Sequence, residues 1–183
     1  MTGPPTPEIR RVGFIGLGDQ GLPMATAIAE AGYELNVWAR RQQSVDALGD
    51  TPLAQHDTIA DLAKVCDVVE LCVSKDDDVL RIAGDELLAA MRPGTVLVNH
   101  GTGLPRHAHR LSEMAGAHEV AVHDAPVSGG RPAAERRQLT TLVGGPHEVV
   151  DRCRPYSPRS LRTSSTAVPR GPGRWQSCST TPC

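Results

Sequence analysis

Three glycines in the stretch Val12-Gly13-Phe14-Ile15-Gly16-Leu17-Gly18-Asp19-Gln20-Gly21 stand at the spacing G-x-G-x-x-G. Placed between a strand and a helix, that spacing suits a dinucleotide. Gly16 permits the tight turn, Gly18 lets the backbone approach a pyrophosphate, and Gly21 allows helix and strand to pack closely. The free N–H groups and partial positive charge at the start of the helix then face the phosphates, with Gln20 inside the same loop.

The ribose end discriminates between cofactors. A site selective for NAD usually places Asp or Glu about 20 residues beyond the glycines, where it accepts from the 2′-hydroxyl. Here the second strand ends Asn36-Val37-Trp38-Ala39-Arg40-Arg41, with no carboxylate. Arg40 and Arg41 suit a 2′-phosphate, which favours NADP over NAD; their other reading is as ordinary solvated residues opening a helix. Cys72, Val73 and Ser74 end a later strand, where ligands sit in sheets of this kind. Cys72 itself reads as a packing residue rather than a nucleophile. His107 and His109 are two apart and point away from each other on a helix, and Asp76, Asp77 and Asp78 read as solvent-facing or capping residues. Neither group suggests a metal.

These residues need a scaffold, and the pattern around them supplies one. Arg10 to Ile15 reads as a strand, and Leu22 to Ala31 as a helix with Pro23 in its first turn and Gly32 as its stop. Glu34 to Trp38 is a strand, Arg41 to Leu48 a helix, and Asp57 caps a helix running to Lys64. Val68 to Val73 is a buried strand. Val79 to Met91 is helical, divided at Gly84, and Val96 to Asn99 is a strand. Pro105 opens a helix to Ala115; Glu119 to His123 and Leu139 to Val143 are strands. Repeated β-α-β units imply an α/β domain over residues 9–153, a doubly wound, mostly parallel sheet of Rossmann type.

Only 3% of the residues are aromatic, so the core must be built from Val, Leu, Ile and Ala, as buried parallel sheets usually are. The net charge of −2 gives no reason to expect nucleic acid or an anionic membrane as partner. No signal peptide and no apolar run long enough for a membrane span are evident. Five scattered cysteines without a C-x-x-C pair fit a reducing compartment, which points to the cytoplasm. Beyond Asp151 there is no acidic residue, while Arg154, Arg159, Arg162, Arg170 and Arg174 all follow it. Residues 154–183 hold six Ser, four Thr, five Pro and five Arg, a composition that reads as a disordered basic tail.

Longer strings make a resemblance specific. Gly13 to Ala25, GFIGLGDQGLPMA, is similar to the opening of the β-hydroxyacid dehydrogenases. That family includes 3-hydroxyisobutyrate dehydrogenase, tartronate semialdehyde reductase and 6-phosphogluconate dehydrogenase. Asp124 to Gly130, DAPVSGG, matches its substrate-binding segment, and Leu139 to Gly145, LTTLVGG, the strand that follows. Asn99 to Pro105 aligns with a loop usually written D-x-S-T-x-x-P, which makes Thr102 a cofactor contact. The resemblance implies that Ser128, Gly129 and Gly130 offer a hydroxyl and backbone N–H groups to a substrate carboxylate. It also implies hydride transfer between NAD(P) and a small 3-hydroxy acid or its semialdehyde. Several residues depart from the pattern: Gln20 for Met, Asn99 for Asp, Gly101 for Ser, and Ala133 and Arg137 for glycines. If the last two positions need positive φ or close approach, the loop is strained.

The family adds a helical domain whose Lys, in the context G-x-G-x-x-x-K-x-x-x-N, serves as general acid and base. The lysines of this chain, Lys64 and Lys75, stand outside that motif, so no catalytic residue is assigned. Codons open to Gly173–Cys183 encode, one base out of register, Gln-Val-Ala-Lys-Leu-Leu-Asn-Asn-Ala-Leu, similar to the family's catalytic helix. The expectation is a one-base deletion near Pro155 and an out-of-frame tail. Two functions stay open: an oxidoreductase by descent, with a small carboxylic acid as substrate, or a non-catalytic NAD(P)-binding module. Loss of the helical domain would also weaken a homo-oligomer.

Overall fold

The computed structural model describes residues 8–153, 161–169 and 175–178. The chain begins with β1 (Arg11–Ile15), α1 (Gly21–Glu30), β2 (Glu34–Trp38), α2 (Gln42–Asp46) and β3 (Ala54–Gln55). It continues through α3 (Ile59–Val65), β4 (Val68–Leu71), α4 (Asp76–Ile82), a π-helical turn (Ala83–Leu87) and α5 (Leu88–Ala90). Then come β5 (Val96–Asn99), α6 (Pro105–Gly116), β6 (Ala121–Asp124), β7 (Val127–Ser128), α7 (Gly130–Glu135), β8 (Leu139–Gly144) and α8 (His147–Cys153).

Six strands lie parallel in the order β3-β2-β1-β4-β5-β6. The order reverses between β1 and β4, and that opens a crevice beyond their carboxyl ends. β8 closes antiparallel on β6 through Asp124 and Gly144, and β7 pairs antiparallel with β8. Alternating side chains divide the core in two. Val12, Phe14, Val37, Val68 and Val98 face Met24, Ala25 and Ile28 of α1. Ile15, Val69, Leu71 and Leu97 face Leu62 and Ala63 of α3 and Leu111 of α6. With so few aromatics, close approach of helix to strand replaces bulk. A Cβ on Gly13 would stand 2.6 Å from Leu62 Cδ2.

Four local expectations are revised. Thr58, not Asp57, caps α3: its hydroxyl accepts from the Asp61 N–H at 3.0 Å and donates to the Asp61 carboxylate at 2.7 Å. Gly84 does not break its helix; the extra residue is absorbed in the π-helical turn, with Met114 lying 3.1 Å from where a Cβ would stand. β3, β7, α7 and α8 carry too few residues for their periodicity to show in the sequence. Within the tail read as disordered, β9 (Leu161–Pro169) lies parallel to β8, and β10 (Trp175–Cys178) antiparallel to β9. β8 presents the open edge with which Leu161 and residues 163–167 pair. The rest of that tail lies outside the described residues.

Candidate functional site

The carboxyl ends of β1, β2 and β4 open into a cleft of about 810 Å³. Its walls are Gly16 to Gly18 from the first turn, Trp38 to Arg41 and Ser44 from the β2 end, and Cys72 to Lys75 from the β4 end. The three glycines differ in what confines them. Gly16 has φ +106°, and a Cβ there would lie 2.2 Å from the Cys72 carbonyl oxygen. A Cβ on Gly21 would lie 1.9 Å from the Gly16 carbonyl oxygen. Around Gly18 nothing stands within 4 Å of that position, so its backbone is open to the cleft. Two glycines are thus demanded by packing, and the third leaves room for a ligand's pyrophosphate.

α1 begins just behind this loop. No side chain caps its N-terminus and its first turn carries no acid, so its positive end is left to an anion. Gln20 is the N-cap residue, beside the cleft rather than in its wall. Arg40 and Arg41 are exposed on the opposite wall, and among the described residues neither is engaged by a carboxylate. Ser74 and Lys75 face them across the opening. Burial, followed by the negative charge of Glu70, pushes the Cys72 thiol up to about 12, so it is protonated and lines the floor as an apolar group.

The second half of the site follows β5 and β6. Asn99 bridges them: its amide donates to Asp124 Oδ1 at 3.1 Å, while its Oδ1 accepts from the Gly101 N–H at 3.1 Å. An amide suits this position because it donates to a carboxylate that an Asp here would repel. A small cavity of about 60 Å³ opens beside this bridge, toward Leu104 and His107. Thr102 lies exposed on the loop beyond Asn99 and lines neither cavity.

Ser128 ends β7 with its side chain exposed, and Gly129 and Gly130 turn the chain into α7 with φ of 130° and 65°. The value at Gly129 is one that side chains essentially do not adopt, and that at Gly130 one they adopt at a cost. These three residues stand outside the large cleft. The two halves approach each other where Arg131 comes within 3.8 Å of Asp19 in the glycine loop. Ala133 is helical and buried, so it needs no glycine, whereas Arg137 does hold positive φ, at 55°. Sequence reasoning passed over a buried group beneath these loops, Glu70, His100 and His123. The signal was present as a glutamate in the apolar run Val68-Val69-Glu70-Leu71. Among the described residues no group of three His, Cys, Asp or Glu gathers to hold a metal.

An open glycine turn under an uncapped helix, at the reversal point of a parallel sheet, defines a dinucleotide-binding α/β domain. Residues 11–157 match the family described as the NAD binding domain of 6-phosphogluconate dehydrogenase, and the chain belongs to that family. An NAD-dependent L-serine dehydrogenase of Pseudomonas aeruginosa is 36% identical over 168 residues, which cover 91% of this chain and 56% of that protein. A 3-hydroxyisobutyrate dehydrogenase of the same species is 31% identical over 165 residues, covering 89% and 55%. The structure of Mycobacterium tuberculosis 3-hydroxyisobutyrate dehydrogenase with L-serine superposes with a TM-score of 0.83 at 26% identity, over 87% of this chain and 55% of that one. The chain spans about half the length of the relatives it matches.

Proposed function

We propose that this chain binds NADP in preference to NAD in the cleft above β1, β2 and β4, as the cofactor half of an oxidoreductase acting on a small 3-hydroxy acid or its semialdehyde. One observation carries the cofactor reading: Gly18 is open on one wall, and Arg40 and Arg41 stand unengaged by carboxylates on the other. The pyrophosphate lies against the backbone of Gly16 to Gly18 and the start of α1, with Gln20 and Gly21 completing the turn. Arg40 and Arg41 take the 2′-phosphate, and no carboxylate at the end of β2 repels it. Cys72, Val73 and Ser74 form the floor, and Thr102 meets the cofactor from the loop after β5. When bound, the cofactor supplies or accepts the hydride.

Ser128 donates its hydroxyl, and Gly129 and Gly130 their N–H groups, to the substrate carboxylate. The relatives named for L-serine and 3-hydroxyisobutyrate, both small acids bearing a hydroxyl, support that class. The free thiols of Cys66, Cys72 and Cys153 suit a reducing compartment, the cytoplasm.

The test is a fluorescence titration with NADPH and with NADH. Losing one charge-assisted contact, in Arg40→Ala or Arg41→Ala, is expected to weaken NADPH about tenfold or more and leave NADH nearly unchanged. Equal affinity for both cofactors, unmoved by either substitution, overturns the preference. A second reading, a nucleotide-binding module without turnover, is favoured by the lysines. Lys64 is exposed and paired with Asp61, and Lys75 lines the cofactor cleft rather than the Ser128 segment. Turnover with a hydroxy acid that disappears in Ser128→Ala rejects it.

A further inference from the structure

Below the substrate segment lies a group of side chains that neither ligand reading uses. Glu70 sits in β4, flanked by parallel strands on both sides, and its side chain is 0% exposed. Its register partners on β1 and β5 are Phe14 and Val98, and Val68 shares its face, the kind of apolar residue such a position normally holds. A carboxylate there is tolerable only with a partner. The partner is His100, directly after β5, with a side chain 1% exposed and Nε2 at 3.3 Å from Glu70 Oε2.

His100 joins three segments. Its backbone N–H donates to the Leu71 carbonyl at 2.8 Å, and its own carbonyl accepts from the Val127 N–H at 3.4 Å. Its ring Nδ1 lies 3.0 Å from the Ala125 carbonyl oxygen. It therefore ties the ends of β4 and β5 to the chain that leads into Ser128.

The ring's protonation follows from its partners. A carbonyl only accepts, so Nδ1 carries a hydrogen. Nε2 faces Glu70 Oε2 at 3.3 Å, which makes the contact an ion pair when the ring is an imidazolium. Burial alone would strip His100 of its charge. The Glu70 charge and contact, with the Ala125 carbonyl and Asp124, outweigh it and raise the ring above its ordinary 6.5. The other titratable groups around the pair are His123 and Asp124 on β6, Cys72 after β4 and Cys153 on α8. His123 is lowered to about 4, first by burial and then by the His100 charge, and stays neutral. Cys72 and Cys153 are pushed up to about 12 by burial and by Glu70, and stay thiols.

We propose that Glu70 and His100 are a positioning pair: the Glu70 carboxylate holds the His100 ring, whose Nδ1–H in turn holds the Ala125 carbonyl, and so sets the placement of the Ser128–Gly130 cradle over the end of β5. The proposal rests on the reading of that cradle as the substrate-carboxylate site. It gives the segment a pH dependence of defined sign. A raised histidine contributes fully below its ordinary value of 6.5, and the contribution is lost as pH rises through the raised value. Above it, a bare Nε2 faces a carboxylate, and the Nδ1–H bond to Ala125 loses the charge that strengthened it.

The test uses the whole chain with ¹³C-labelled histidine and amide hydrogen exchange, in the native protein and in Glu70→Gln. The native His100 is expected to titrate above 6.5, and in Glu70→Gln to fall below it. Val127 amide protection in Glu70→Gln should drop about tenfold, the equivalent of one pKa unit, while Phe14 and Val69 in the central ladder keep theirs. Native Val127 protection should also decline as pH passes the His100 midpoint, which a merely space-filling pair would not show. A native His100 that is neutral at pH 6.5 overturns the proposal, whether or not Glu70→Gln folds. So does unchanged Val127 protection in Glu70→Gln. Failure of the substrate reading has its own signature: L-serine with saturating NADPH leaves the Ser128 and Gly129 amides unmoved, while His100 and Val127 behave as stated.

Discussion

Arg137 occupies the left-handed region at φ 55°, two residues after the carboxyl end of α7 and two before β8 begins at Leu139. Its neighbours accept the conformation: the Arg137 N–H donates to Ala134, and the guanidinium pairs with Glu30 of α1. A residue with a Cβ still resists this geometry by about 1 kcal/mol relative to glycine. Arg137→Gly and Arg137→Ala both remove the ion pair, so their difference isolates the backbone. The glycine variant is expected to be about 1 kcal/mol more stable than the alanine variant in urea unfolding, and equal stabilities would reject the strain. This position was legible in the sequence because the resemblance places a glycine there. Ala133 carried the same warning, yet it lies in a helical turn, since φ cannot be read from residue type alone. The tight turn was legible because its spacing puts glycine where Gly16 and Gly21 meet close backbone neighbours. The Glu70–His100 contact was not, because it joins residues on adjacent strands that no local pattern connects.

At the scale of elements, Asp67 holds the lower edge of the sheet together. It precedes β4, and its carboxylate accepts from the backbone N–H groups of Arg10 and Arg11 at 3.1 and 2.9 Å. The Arg11 and Arg92 guanidiniums add contacts at 3.2 and 2.7 Å, so β1, β4 and the turn before β5 meet on one side chain. Burial pushes its carboxyl up, but the two backbone donors and the two guanidiniums outweigh that and hold it below its ordinary 3.8. A depressed acid contributes stability above its ordinary value and loses it as pH falls through the lowered one. Asp67→Asn is expected to cost about 1–3 kcal/mol at neutral pH, with the penalty shrinking below about pH 4. Urea midpoints at the two pH values check it, and a penalty independent of pH would show that shape rather than charge matters. Of the parallel strands β1 to β6, all but the two-residue β3 were legible, nearly in length, because each is a short apolar run closed by turn residues. The antiparallel β8 was read as a strand, but its direction depends on the Asp124–Gly144 pairing, which no periodicity records.

At the scale of the whole molecule, the cofactor half and the tail follow different rules. Through Cys153 every element but the two-residue β3 buries an apolar face, and residues 11–157 match the family. From Arg154 acidic residues cease and Arg, Ser, Thr and Pro take over. The chain covers 56% and 55% of the two Pseudomonas aeruginosa relatives. We propose a shift of reading frame near Pro155 as the source of the change in composition; codons open to Gly173–Cys183 would carry Lys-Leu-Leu-Asn-Asn in the alternative frame. Resequencing the DNA from codon 150 is expected to restore a frame that encodes Gly-x-Gly followed by that lysine helix. The restored protein would then be about 300 residues, the length of which 168 make 56%, consistent with a domain that covers the cofactor cleft and supplies the general acid and base for the hydroxyl. Synonymous codons that leave no such helix in the alternative frame, together with an intact mass of 19.5 kDa, would reject the frameshift and leave a nucleotide-binding domain with its own carboxyl-terminal strands. Restored length with NADPH oxidation abolished by replacing that lysine would instead assign this chain to the cofactor half of a two-domain reductase.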